Sequence, residues 1–410
     1  MKKITIVTGI CISVLTFACS QLKDGSSGMD ARGITFAGPE ACVSCHANVY
    51  NAYLNTAHYM ASAPANEKTI HGSFAHGLNE FAVNDSQKVV MGKMDSGLFQ
   101  TYYLNGEVKA AYRFDIVFGG VKGESYLYWK GNELCQLPLS YFQSRHQWST
   151  NPGFGYNFLD YNMPRYIGKQ CLECHASYIN NLPEETTALS KGDQFDKSSL
   201  VYSIDCERCH GPCAKHVDFQ TQNPGIKTAG FVTTYSSLNR IQKMDMCAAC
   251  HSGKPSVMLR SSFEFVPGDT FANFKVPELI HPVDTVHLDV HGNQFQLLQS
   301  SKCYLNSTMD CATCHDPHLN SRGNEALFTQ KCLGCHNTPG HLACKMTGQL
   351  SDQLMKANCI GCHMPALPTK IISVQVSDKL PSVQFFVHTH HIATYPQEVK
   401  KIMDYINKPT

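Results

Sequence analysis

The sequence carries no basic stripe of the kind that engages nucleic acid, and its 410 residues have a formal charge of only +1. After the first twenty residues it has no apolar run long enough to cross a bilayer. It has no short-period repeat that would signal a solenoid. Apolar residues make up 43%, an ordinary share for a soluble globular chain. What is abundant is cysteine and histidine, 20 of each.

Fourteen of those cysteines fall into seven Cys-x-x-Cys-His motifs. The motifs comprise Cys42, Cys45 and His46; Cys171, Cys174 and His175; Cys206, Cys209 and His210; Cys247, Cys250 and His251; Cys311, Cys314 and His315; Cys332, Cys335 and His336; and Cys359, Cys362 and His363. A zinc ribbon uses two cysteine pairs per metal, and a redox dithiol needs no following His. A His closing every copy is the pattern of c-type haem attachment. The two thiols add to the porphyrin vinyl groups, and the adjoining His ligates the iron. Seven covalently bound haems c leave fewer than about sixty residues each, too few for separate domains. The irons are therefore expected to share one core and to stand close together.

Residues 1–18 read as an export signal, with Lys2 and Lys3 ahead of an uncharged, mostly apolar run at 4–18. The run is short for a membrane span. It closes on Ala18-Cys19, which resembles a bacterial lipoprotein cleavage site and makes Cys19 the expected lipidation site. Ordinary cleavage further on and an uncleaved anchor are the alternatives. Export agrees with haem attachment, which takes place outside the cytoplasmic membrane. The expected location is a bacterial membrane, held by lipid at its periplasmic or outer-membrane face. Losing Lys2 and Lys3 brings the charge to about −1, and fourteen haem propionates make the mature protein acidic. Cys11 lies in the signal. Cys135, Cys213, Cys303 and Cys344 remain, either as two disulfides in one of three connectivities or as buried free thiols.

The expected fold is mostly α and irregular, a multihaem cytochrome c core with a small antiparallel β-meander insertion. Residues 19–40, rich in Gly, Ser and Asp, read as a flexible tether. Residues 41–84 carry the first motif, with a short helix across 47–61 that ends near His58. The aromatic and β-branched runs 98–104, 108–118 and 124–129, separated by Asn105-Gly106, Gly119-Gly120 and Gly131-Asn132, predict hairpin strands. The insertion spans 85–168. The second to fourth motifs cluster in 169–258, 259–310 is a connector, and the fifth to seventh cluster in 311–366. A tail, 367–410, packs back on the haems through β-like runs at 370–376 and 383–392 and a closing helix at 396–407.

Thirteen histidines lie outside the motifs, more than seven irons need for a second axial ligand. His58, His216, His318 and His388 are the leading candidates, followed by His287, His291, His341 and His391. His216 and His318 stand too near His210 and His315, with Pro between, to reach the far face of their own iron. They are expected to reach a neighbouring one. Strand alternation puts His388 and His390 on one face and His391 on the other. His71, His76, His146, His281 and His390 rank lower, and Met60, Met163 and Met364 read as core.

Several segments resemble the cytochrome c-554 and hydroxylamine oxidoreductase group of multihaem cytochromes. Cys42 to His46 is followed by Tyr50, Tyr53 and Thr56-Ala57-His58, and Cys206 to His216 is similar to the group's haem-Gly-Pro-x-x-x-His pattern. Gln299-Ser300-Ser301-Lys302 leads to Cys311 and His315-Asp316-Pro317-His318, and Cys359 to His363 runs into Met364-Pro365. The resemblance implies that His58, His216 and His318 ligate irons other than their own, and that haems stack along the chain. Seven motifs differ from the four and eight of the best-known members. No cross-linking tyrosine is placed by motif, and no motif has the Lys ligand of some nitrite reductases. The leading expectation is electron transfer along a haem chain in a respiratory pathway, with a quinol-oxidising complex or a terminal reductase as partner. The alternative is an oxidoreductase with one open haem acting on a small nitrogen or sulfur compound. A weaker reading is a structural subunit of a larger complex.

Overall fold

The computed structural model describes residues 29–152, 164–183, 192–253, 257–276, 288–338, 344–346, 348–374 and 382–407. Strands dominate the region between the first two motifs. β1 is Ser62–Pro64, β2 Glu80–Asn84, β3 Gln87–Met94, β4 Gly97–Leu104, β5 Glu107–Arg113 and β6 Ile116–Gly119. β7 is Gly123–Lys130, β8 Glu133–Gln136, β9 Leu139–Phe142, β10 Gln147–Thr150 and β11 Arg165–Tyr166. β2 to β5 form an antiparallel meander. The others form a second sheet in the order β1-β6-β7-β8-β11, with β9 on β7 and β10 on β9.

The turn chemistry explains the hairpins. Asn105 (φ 52°) and Gly106 (φ 81°) both adopt positive φ between β4 and β5, the geometry a two-residue hairpin needs. The expected single strand over 108–118 is two strands. The chain leaves the meander at Arg113 and enters the second sheet at Ile116. Asp115 holds that corner by accepting from Arg113 Nε at 2.7 Å and Trp129 N at 2.8 Å.

Both faces of the second sheet are buried, which is why β6 reads as an unbroken apolar run. Side chains alternate along it. Val117 and Tyr126 join a core with Val89, Met91, Tyr102 and Trp148, against the meander. Ile116, Phe118, Leu127 and Leu134 point the other way, onto Leu172, Ile179 and Phe195. Leu172 lies inside the second Cys-x-x-Cys-His motif and is fully buried. The β insertion thus places one motif by direct packing.

Five motifs lie at the ends of helices that finish on the motif His: Lys169–His175, Cys206–His210, Arg240–His251, Glu325–His336 and Cys359–His363. The first motif begins in the 3-10 turn Pro39–Cys42 and runs into the helix Val43–Tyr53, which is bent at His46 (φ −116°). The fifth occupies the 3-10 turn Cys311–Thr313. Polar residues before the first Cys cap these short turns. Asp205 accepts from Arg208 N at 2.9 Å, Asp310 from Thr313 N at 3.1 Å and Asn358 from Gly361 N at 2.6 Å.

Among the described residues helix does not predominate, at 32% against 28% strand. β12 (Ala176–Asn181) pairs with β13 (Phe195–Tyr202), β14 (Val257–Met258) with β15 (Lys275–Val276), and β16 (Ala366–Val374) with β17 (Val383–His388). The helix after the first motif stops at Tyr53, short of His58, which instead precedes the 3-10 turn Tyr59–Ala61. The described part of the expected tether is docked. Arg32 pairs with Asp30, Asp205 and Glu207, and Glu207 also accepts from Ala37 N and Gly38 N at 2.9 Å each. Cys19 and the signal lie outside the described residues. Cys135 and Cys213 are buried and Cys303 is half-buried, and none of these three is bridged in the structure.

Candidate functional site

The chain from residue 288 onward carries three motifs, yet its buried apolar residues among those described are only Val290, Leu297, Leu298 and Val374. Both hydrophobic clusters lie within residues 70–195. A segment with so small a core of its own suits a large apolar group as core, and haem is such a group.

The motif thiols meet across motifs. Cys42 of the first hydrogen-bonds Cys206 of the third, and Cys174 of the second bonds Cys250 of the fourth. Cys247 of the fourth bonds Cys311 of the fifth, and Cys332 of the sixth bonds Cys359 of the seventh. The bond pushes one thiol of each pair up and its partner down, Cys250 and Cys359 each to about 6. Cys314 of the fifth motif lies near Cys332 of the sixth, and Cys209 of the third near Cys250. Every motif therefore has a thiol paired with that of another, first with third, second and fifth with fourth, and sixth with seventh.

Residues between the cysteines tie the motifs to neighbours. Glu173 accepts from Ser261 Oγ at 2.9 Å and Ser262 N at 3.3 Å. Arg208 donates to the Glu173 carbonyl and to Ser262 Oγ, at 3.2 Å each, linking the second and third motifs. Lys275 Nζ donates to the carbonyl of Ala249, inside the fourth, at 2.7 Å. Phe118 of β6 stacks on His175 with ring centroids 4.7 Å apart and planes 6° apart.

Imidazoles face each other in three places. His58 lies 6.3 Å from His251, centroid to centroid, at 68°. His318 lies 6.0 Å from His210 at 17°, and His390 lies 6.1 Å from His315 at 27°. An iron holding two axial nitrogens at about 2 Å each separates the ring centroids by roughly 6 Å. Each pair joins one motif His to one His from elsewhere, so the residues fit a bis-imidazole haem. Burial, with His58 and His315 nearby, pushes His251 down to about 4. Burial likewise lowers His58, His210 and His315. Neutral imidazoles keep the lone pair that ligation needs. His251 and His315 are nonetheless exposed by area, so they line clefts rather than a packed interior.

Second partners orient several rings. A carbonyl can only accept, so a ring whose Nδ1 meets one carries its proton there and leaves Nε2 free for a metal. His175 meets Ala61 O at 3.2 Å, His216 meets Gly230 O at 2.7 Å, and His363 meets Ala393 O at 2.9 Å. His388 meets Met364 O at 2.6 Å, and His58 donates to Pro317 O. His318 Nδ1 donates to Asp316 Oδ1 at 3.0 Å.

Of the expected second ligands, His58 and His318 lie opposite motif histidines. His216 lies near His210 without facing it as a ring pair, and His291 neighbours His175 and His251. His391 meets Tyr395 Oη at 3.1 Å. His287 and His341 lie outside the described residues. His390 lies opposite His315, whereas His388, the higher-ranked of the two, bonds Met364 O; β17 ends at His388 and the chain bends at His390. Among the described residues no group of three or more His, Cys, Asp or Glu stands arranged to hold a bare metal ion.

Residues 156–211 match the family described as cytochrome c554 and c-prime. The dissimilatory sulfite reductase MccA of Wolinella succinogenes is 21% identical over 221 residues, spanning 48% of this chain and 27% of its own length. Thus the match takes in about a quarter of that relative. The outer cell wall cytochrome OcwA aligns in structure with a TM-score of 0.51 and 17% identity, over 90% of this chain and 81% of that one. An undecahaem cytochrome from the S-layer of Carboxydothermus ferrireducens gives 0.39 and 16%, over 80% and 51%. Its motifs, its facing imidazoles and its fold make the chain a multihaem c-type cytochrome that binds haem c covalently and resembles the cytochrome c-554 and hydroxylamine oxidoreductase group.

Proposed function

We propose that the chain binds seven haems c, one at each motif, and carries electrons along them in a membrane-associated respiratory pathway. Haem c supplies one-electron redox chemistry. The polypeptide sets spacing, ligation and burial. The observation that carries the reading is that every motif meets another: thiols pair first with third, fourth with fifth and sixth with seventh, and His58 and His318 face the fourth and third motif histidines from the first and fifth segments. The second pairs with the fourth through Cys174 and Cys250. His58 and His318 act as crosslinks in this reading. Each leaves the segment of its own motif and faces the motif His of another, His58 joining the first segment to the fourth motif and His318 the fifth to the third.

Cys45, His46, Cys335 and His336 are exposed, at the first and sixth motifs. These are the places where electrons would enter and leave. The partners in this reading are a quinol-oxidising complex on one side and a terminal reductase on the other. Export with lipid attachment at Cys19 would keep the protein at the membrane face. No helix among the described residues is long and apolar enough to cross a membrane.

The test is the optical spectrum of the dithionite-reduced holoprotein with and without carbon monoxide. A carrier in which every iron holds two protein ligands gives a spectrum that carbon monoxide leaves unchanged. A Soret shift worth about one haem in seven would replace this reading with that of an oxidoreductase with an open haem.

A further inference from the structure

The third facing pair involves a residue that sequence patterning ranks low. His390 reaches His315 from the C-terminal tail, and the tail is fastened on both sides of it. Ser301 Oγ donates to the His390 carbonyl at 3.2 Å and accepts from Ile392 N at 2.8 Å. Ser301 is fully buried and leads, through the helix Lys302–Leu305, to the fifth motif. On the other side Thr389 N donates to Pro365 O at 3.1 Å, and Ala393 N donates to His363 O at 3.1 Å. His363 Nδ1 returns a bond to Ala393 O at 2.9 Å, and His388 Nδ1 donates to Met364 O at 2.6 Å. Residues 388–393 thus form a strap between the fifth and seventh motifs.

We propose that His390 is the sixth ligand of the iron held by His315, and that the strap carrying it holds the haems of the fifth and seventh motifs in one body. The rings stand 6.1 Å apart with planes 27° apart, the spacing of the two pairs already described. His388 bonds Met364 O through Nδ1 and props the strap, and among the described residues it is the ring of His390, not that of His388, that faces His315. Thr389 between them is buried, so the strap cannot slide by one residue without exposing His390 and burying His388. The inference rests on a haem being attached at Cys311 and Cys314.

The experiment compares the His390→Ala, His388→Ala and His390→Met holoproteins by peptide mass, optical spectroscopy and electron paramagnetic resonance. Peptide mass comes first. A peptide holding Cys311 and Cys314 without haem removes the underlying reading and the inference with it. With haem present, His390→Ala is expected to gain one high-spin, carbon-monoxide-binding haem, which added imidazole returns to low spin. His388→Ala is expected to keep every iron low-spin. If His390→Ala does not mature, His390→Met offers a weaker ligand in place and is expected to raise one haem's potential. A His390→Ala protein that stays low-spin and ignores carbon monoxide, or a His390→Met protein with all potentials unmoved, would overturn the assignment.

Discussion

His58 faces His251 with ring centroids 6.3 Å apart, and the His58 ring donates to the carbonyl of Pro317. Pro317 adjoins His318, which faces His210. One loop therefore positions the second imidazole for the third and fourth motifs together. His58→Ala is expected to leave the haem count unchanged while one haem becomes high-spin and binds carbon monoxide. His76→Ala, at an exposed position, is expected to leave the spectrum as it was. Equal spectra for the two variants would contradict the pairing.

Leu172 ties the second motif to the β insertion. It is fully buried among Ile116, Phe118, Leu134 and Phe195. Leu172→Ala removes that packing and leaves both cysteines of the motif in place. It is expected to cost about 2–5 kcal/mol, read as a lowered midpoint of chemical unfolding. A change within about 0.5 kcal/mol would mean that the attached haem, and not this side chain, fixes the motif to the sheet.

Arg32 ties the N-terminal segment to the third motif, and its side chain is 4% exposed against partners at 9%, 2% and 0%. Arg32→Ala would leave Asp205 and Glu207 buried without their counter-charge, at a cost of about 3–5 kcal/mol. The same cluster sets a pH dependence. Burial opposes ionisation of Asp30, but its hydrogen bonds and charge pairing with Arg32 outweigh that and bring it below the ordinary 3.8. A carboxyl depressed by folding stabilises the folded state above its unfolded pKa, and the contribution is lost as pH falls through the folded one. Docking of residues 29–42 is expected to be insensitive to pH down to about 4 and to loosen below it. An acid-active protease reads this as cleavage near the N-terminus that rises only below that point. Cleavage that already rises near neutrality would contradict it.

Two glycines of the hairpins separate conformation from crowding. Gly106 has φ +81° with nothing within 4 Å of an added Cβ, whereas Gly119 has the same φ and would bring its Cβ to 2.6 Å from the Gly123 carbonyl oxygen. Gly106→Ala is expected to cost about 1 kcal/mol, the strain of positive φ alone. Gly119→Ala adds a backbone clash and is expected to cost about 2 kcal/mol more. Equal midpoints in thermal unfolding would rule out the tight turn between β6 and β7.

The attachment motifs were legible because covalent chemistry dictates their spacing. The hairpin at Asn105-Gly106 was legible because few residues tolerate two successive positive φ values. His58 and His318 stood out through short local patterns around them. His390 did not, because alternation assumes a strand that continues, and β17 stops at His388 where Thr389 turns to bond Pro365. That stop is set by Pro365 beside the seventh motif, outside the strand and any signal in it. The docking of residues 29–40 was hidden for the same reason. A Gly- and Ser-rich stretch is a tether only until Glu207, far along the chain, accepts its amides. The break at residues 114–115 was hidden because Phe114 is apolar and buried like its strand neighbours, and only Asp115 marks the corner.

The central claim is a continuous set of seven haems, and intact-mass spectrometry of the mature holoprotein tests it most directly. The expected mass is that of the processed chain plus seven haems, with every motif peptide carrying one. A smaller number, with any one motif peptide free of haem, would break the chain of attachment points and contradict the account.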